Sequence, residues 1–201
     1  FEENGFINKL DRFVFYRACE NIEERTALGQ VVYPVSVNVS RVTATQPDFV
    51  SYYTRIKRKF NIRDGFVTLE FTESFAYENY EYLSGVIAEL HAAGFLCSLD
   101  DFGTGYSSLN MLKTTQFDVL KIDRSFLSEF MESDRGRKII HHTISMSRDI
   151  GLDIIAEGVE TLDQAKFLNS CGCDAAQGFY YSRPIPAEDF DEKFKADRNM
   201  A

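Results

Sequence analysis

Six short runs rich in β-branched and aromatic residues alternate with amphipathic stretches along this chain, and polar or charged residues stand at or near the ends of the runs. The runs lie at 31–39, 66–71, 95–100, 117–122, 152–156 and 175–181 and predict six strands. Between them, apolar residues recur at helical spacing: Phe6, Ile7, Leu10, Phe13, Val14 and Ala18 over 6–28, then Phe49, Val50, Tyr53, Ile56 and Phe60. Leu83, Val86, Ile87 and Leu90 form a third stripe, and Ile139, Ile140 and Ile144 mark a fourth. A short helix is expected over 106–113, and Pro184 and Pro186 lead into a final polar helix. Three helices close on a glycine directly before a strand, at Gly94, Gly151 and Gly172, where a left-handed C-cap is needed. Thr161-Leu162-Asp163-Gln164 spells a capping box for the helix that reaches Gly172. Strands alternating with helices predict parallel βαβ units and an α/β fold. No linker or compositional break interrupts 1–201, which reads as one domain.

An open doubly wound sheet and a closed barrel both accommodate such a pattern, and the strand ends choose between them. Asn38, Glu70, Asp100 with Asp101, Lys121 with Asp123, Glu157 and Gln177 stand at or near the C-terminal ends of the six runs. In a closed parallel barrel all those ends meet at one mouth. In an open sheet only the ends beside the switch point reach a ligand. Six functionalised ends favour a TIM-like (β/α)8 barrel with six βα units present. Its first two strands are then expected upstream of Phe1, where the chain starts abruptly and without an initiator methionine.

The net charge of −9 over 201 residues argues against a DNA or RNA polymer as partner, because no basic stripe offsets phosphate repulsion. An acidic protein that handles a phosphate ester needs metal ions to reconcile the charges. Cys19, Cys97, Cys171 and Cys173 show neither disulfide-framework nor C-x-x-C spacing and read as reduced, buried thiols. With no secretory signal and no apolar run approaching about 20 residues, a cytoplasmic setting is expected, alone or as the cytoplasmic part of a membrane-anchored parent.

Glu70, Asp100, Asp101 and Glu157, with the amide oxygen of Asn38, are hard oxygen ligands suited to Mg²⁺ or Mn²⁺ rather than zinc. Tandem carboxylates can flank two ions about 3.5–4 Å apart, a pair that binds a phosphodiester and acidifies a bridging water. Lys121 adds a positive charge near that water, and Glu157 is the candidate proton acceptor or second-ion ligand. Plainer roles remain open for each. Asp100–Asp101 suits a capped strand end and turn, and Lys121–Asp123 an ordinary ion pair. Glu157 and Glu160 complement a helix N-terminus, Glu73–Ser74 braces a loop, and Gln177–Gly178 makes a turn. His91, His141 and His142 read as surface or packing residues, and the many phenylalanines as core.

Six ordered motifs resemble one family: S-V-N-V-S (36–40), L-E-F-T-E-S (69–74), D-D-F-G-T-G-Y-S-S-L (100–109), L-K-I-D-R-S-F (120–126), A-E-G-V-E-T (156–161) and Q-G-F-Y-Y-S-R-P (177–184). Together they are similar to the EAL domain, the bacterial cyclic di-GMP phosphodiesterase module, over nearly the whole chain. The resemblance implies a barrel of the EAL type whose first strand is antiparallel. It implies hydrolysis of cyclic di-GMP to pGpG with Mg²⁺ or Mn²⁺, two ions, and inhibition by Ca²⁺. By position it implies metal ligation by Asn38, Glu70, Asp100, Asp101 and Glu157, catalysis by Lys121 and Glu157, and substrate contacts from Asp123, Glu160 and Gln177. Glu73, Phe102, Gly103, Thr104, Gly105 and Ser107 resemble the loop that joins the metal site to a dimer interface, so a homodimer is expected. An upstream sensor or GGDEF-type domain is common in such proteins. The Glu-Ala-Leu motif itself is absent, and its Glu, a metal ligand in the family, is expected upstream of Phe1. The chain alone is therefore expected to carry an incomplete metal site. A non-catalytic cyclic di-GMP receptor or protein-interaction domain is the alternative.

Overall fold

The computed structural model describes residues 5–105, 109–187, 189–190 and 193. Its six strands are β1 (Val35–Asn38), β2 (Val67–Thr72), β3 (Leu96–Phe102), β4 (Val119–Ile122), β5 (Asp153–Ala156) and β6 (Ala175–Ala176). They pair in chain order, every pair parallel, into a sheet curled as a half-barrel. The helices are α1 (Phe6–Ala27), α2 (Arg41–Ala44), α3 (Phe49–Lys59), α4 (Glu73–Glu78), α5 (Tyr80–Ala92), α6 (Leu109–Thr114), α7 (Arg124–Met131), α8 (Asp134–Asp149) and α9 (Leu162–Cys171). β2 is covered on both faces: Val67, Leu69 and Phe71 are fully buried on one, and Thr68 and Glu70 are buried on the other. Aromatic packing joins the helices to the sheet, with Phe15 of α1 stacked on Tyr53 of α3 at 4.3 Å and Phe49 edge-on to Phe71 of β2 at 6.4 Å.

Long α/β elements fall where periodicity places them, and their ends are corrected. The 31–39 run forms a strand only from Val35, which donates its N–H to Phe66 O at 2.9 Å; the preceding Pro34 has no N–H to extend the ladder. The 175–181 run ends as a strand at Ala176, because the chain turns at Gly178 and the N–H groups of Tyr181 and Ser182 fold back onto its carbonyl. Gly178 has φ 158°, and a Cβ there would stand 2.2 Å from Val159 O, so this close approach admits no side chain. Of the helix expected over 106–113, residues 106–108 lie outside the described residues, and α6 runs on to Thr114.

Three short helices that periodicity does not reveal, α2, α4 and α7, start directly at the C-terminal ends of β1, β2 and β4. Local side-chain capping starts α2 and α7. Ser40 accepts the Thr43 N–H, and Asp123 accepts the Ser125 N–H at 2.7 Å. Asp11, buried on α1, accepts from Ser40 N (3.0 Å), Ser40 Oγ (2.6 Å) and Thr43 Oγ1 (2.6 Å), and so ties α1 to the turn after β1. At the opposite rim Asp118 hydrogen-bonds His91 Nε2 at 2.8 Å and accepts the Cys97 N–H at 2.7 Å, a strap between α5 and the starts of β3 and β4.

Candidate active site

A buried lysine organises the mouth of the half-barrel. Lys121 Nζ on β4 lies 2.9 Å from Glu70 Oε2 on β2, 3.0 Å from Asp100 Oδ1 on β3 and 2.6 Å from Glu157 Oε1 just past β5. Side-chain exposures are 7% for Lys121, 6% for Glu70, 11% for Asp100 and 18% for Glu157. Glu157 Oε1 also accepts from Gln177 Nε2 at 2.7 Å, so the chain immediately after β6 joins the cluster. Asn38, at the end of β1, is in register with Glu70 and exposed toward solvent.

Asp101 stands beside this group at a β-bulge. In a regular strand Asp100 and Asp101 point to opposite faces. The β3–β4 register shifts between Leu99 and Phe102, so one extra residue is held on β3, and Asp101 takes φ 57° there. Burial, with the negative charges of Asp100 and Asp123, holds the Asp101 carboxyl above the ordinary carboxylate range. Burial likewise raises Glu157, although Lys121 pulls it the other way. Burial pulls the Lys121 ammonium down, but Glu157, Glu70 and Asp100 outweigh it and the net direction is up. These directions express one imbalance: three carboxylates share the charge of one ammonium in a partly desolvated pocket, and Asp101 adds a further acid beside them. An excess of buried anions is costly unless further cations enter. Glu70, Asp100, Asp101, Glu157 and the nearby Asn38 amide therefore fit hard divalent cations by charge and donor type.

The remaining expected residues fall around this centre. Glu73, first residue of α4 and almost fully buried, accepts the Gly103 N–H at 3.0 Å and so fastens the loop after the bulge to the end of β2. Phe102 packs edge-on to Phe126 at 6.3 Å, and Gly103 has φ 99° with a would-be Cβ 2.5 Å from the Phe126 ring. Thr104 Oγ1 donates to Asp101 O at 2.9 Å, and Gly105 is exposed; Ser107 lies outside the described residues. Asp123 caps α7 rather than joining the lysine cluster. Glu160 sits on the rim, 3.0 Å from Arg124 Nη2. Glu157, Glu160 and Gln177 line a cavity of about 730 Å³ whose far wall includes Phe179 and Arg183.

Sequence reasoning did not single out Asp11, Gly158 or Arg124. Asp11 lies in an amphipathic helix where a charged residue reads as solvated face, and Arg124 looks like any arginine at a helix start.

A parallel half-barrel with carboxylates at the ends of β2, β3 and β5 gathered around a central lysine, beside a rim cavity, is a TIM-like scaffold with a functionalised acidic mouth. The chain belongs to the EAL domain family, whose sequence model matches residues 1–184. It is 34% identical over 197 residues to the cyclic di-GMP phosphodiesterase NbdA of Pseudomonas aeruginosa PAO1, covering 98% of this chain and 25% of that protein. The structure titled PaMucR phosphodiesterase in complex with c-di-GMP superposes with a TM-score of 0.87 at 33% identity, covering 94% of this chain and 76% of the other. The EAL domain of Mycobacterium smegmatis DcpA gives a TM-score of 0.82 at 37% identity, covering 90% and 82%. The chain spans about a quarter of the length of curated relatives that it matches. Among the described residues, no helix is long and apolar enough to cross a membrane.

Proposed function

We propose that this chain carries the catalytic machinery of a cyclic di-GMP phosphodiesterase that forms the linear dinucleotide pGpG and depends on Mg²⁺ or Mn²⁺. The observation that carries the reading is the Lys121 cluster, in which one buried ammonium faces Glu70, Asp100 and Glu157 from three different strand ends. Asn38, Glu70, Asp100, Asp101 and Glu157 would hold two ions. When bound, the ions supply charge neutralisation for the phosphodiester and a lowered pKa for a coordinated water.

The chain's own groups do the rest. Lys121 directs its ammonium protons at an attacking water or a phosphoryl oxygen and holds the neighbouring carboxylates together around it. Glu157 receives the proton of the attacking water, and Gln177 fixes its orientation through the 2.7 Å hydrogen bond to Oε1. Water oxygen bonds to phosphorus, the bond to the 3′ oxygen breaks, that oxygen takes a proton from solvent to become the 3′ hydroxyl, and phosphate remains on the 5′ oxygen of pGpG. Asp123 and Glu160 border the nucleotide on the rim. Ca²⁺, larger and less exacting in geometry, would occupy the ligands without supporting turnover.

A homodimer fits the same site. Phe102, Leu109, Phe126, Ile139 and Met146 line a cavity of about 500 Å³ beside the loop that Glu73 fastens, and Leu109 and Ile139 are exposed there. Such a seam would connect a partner copy, or a cyclase-type or sensor domain elsewhere in a cytoplasmic parent protein, to Asp101.

Incubating the protein that carries this chain with cyclic di-GMP and Mn²⁺ should yield pGpG, and Asp100→Asn should lower the rate by more than about a hundredfold. Binding without pGpG formation would select the receptor reading instead.

A further inference from the structure

The rim cavity has a wall that the lysine cluster does not use. Arg124, the first residue of α7, lies across it with its side chain 60% exposed and Nη2 3.0 Å from Glu160 Oε1. Its stem is guided from below. A Cβ added at Gly158 would fall 2.4 Å from Arg124 Cβ and 2.5 Å from Cγ, so the methylenes run over a position where only hydrogen fits. Asp123 fixes the start of α7 and with it the origin of the side chain. An ion pair this exposed contributes little to stability, so its donors and acceptors remain available to a ligand.

A guanidinium beside a carboxylate offers fork-shaped donors next to acceptors. Guanine is complementary: O6 and N7 accept, whereas N1–H and the N2 amino group donate. Adenine reverses the pattern, with an amino donor in place of O6 and a bare acceptor at N1. Phe179, 50% exposed on the same cavity and with the Arg183 guanidinium 4.5 Å from its centroid, supplies an aromatic surface for a base. We propose that Arg124 is a specificity residue that reads the O6/N7 edge of a guanine seated on this wall, while Glu160 takes the N1–H and N2 donors. The inference rests on the cyclic-dinucleotide reading above and adds to it the residue that selects the base.

Calorimetric titration with cyclic di-GMP and cyclic di-AMP, in EDTA and again in Ca²⁺, tests it on wild type, Arg124→Ala and Arg124→Lys. Wild type should prefer the guanine ligand, and Arg124→Ala should reduce that preference by about tenfold or more. Arg124→Lys keeps the charge but loses the fork, and should also lose most of the preference. Equal weakening toward both ligands in Arg124→Ala, with recovery in Arg124→Lys, would make Arg124 a phosphate contact and overturn the inference alone. Unchanged preference in both variants would overturn it as well. No binding of cyclic di-GMP by wild type would overturn the cyclic-dinucleotide reading, and this inference with it.

Discussion

Lys121 is the residue through which the mouth is held together before any ion arrives. Its ammonium touches carboxylates from β2, β3 and the end of β5, all largely removed from water. Removing one partner from a buried ionic cluster costs more than the pair contributes, because the remaining charges stay desolvated. Lys121→Met should therefore lower the metal-free unfolding free energy by about 3–5 kcal/mol in urea titrations. Millimolar Mn²⁺ should restore most of the loss, because the vacated charge is the one the ions supply. A loss too small to measure would show that the carboxylates are solvated or protonated without the lysine. The Lys121 and Glu157 roles rest on this electrostatic demand as much as on distance.

At the scale of elements, the short helices that begin at the strand ends hold the site in place. α2 follows Asn38, and its first turn is satisfied by Asp11 from α1 through three hydrogen bonds. Hydrogen bonds to a charged acceptor contribute about 1.5–3 kcal/mol each, and a buried donor left unpaired costs a similar amount. Asp11→Asn keeps the shape and removes the charge, so the three donors that converge on Oδ2 face a neutral acceptor instead of a charged one. It should destabilise the fold by about 2–4 kcal/mol, read as a lower urea midpoint with an unchanged denaturant slope. A changed slope would mean instead that the α1 contact governs how compact the chain is. The loop after the bulge is fastened in the same manner, by Glu73 to the Gly103 N–H.

Over the whole molecule, burial sets how stability depends on pH. It pushes the Cys19 thiol up to about 12 and Cys173 up to about 11, and raises Cys97 and Tyr53 further. In the unfolded chain a thiol loses its proton near pH 8.5. Between that value and the folded values the native state binds more protons, so raising pH favours unfolding. Lys121 acts in the same direction, since a raised ammonium contributes stability that is lost once pH climbs past its unfolded value. The urea midpoint should fall between about pH 8 and pH 10, at up to about 1.4 kcal/mol per pH unit for each affected thiol. Cys19→Ala and Cys97→Ala should each flatten that slope, and an unchanged slope would place the thiols in contact with water.

Much of this protein is legible in its residues. Apolar periodicity and helix-closing glycines specify the alternating α/β order, and the polar strand ends specify a mouth, because both depend on spacing along the chain. Glu70, Asp100, Lys121 and Glu157 were visible for that reason, and they do converge. Strand ends at Val35 and Ala176 were not, since pairing stops where the neighbouring backbone turns away rather than where β-branched residues stop. Only the tertiary structure decided that β3 carries one extra residue at Asp101, where a regular strand would continue, and that Asp123 is committed to a helix cap. It alone placed Arg124 over Gly158 and Asp11 under α2, contacts between segments 34 and 29 or more residues apart, with no local pattern to announce them. Sequence determines which chemistry each strand end carries; the register, the bulge and the packing of distant segments determine which of those groups meet.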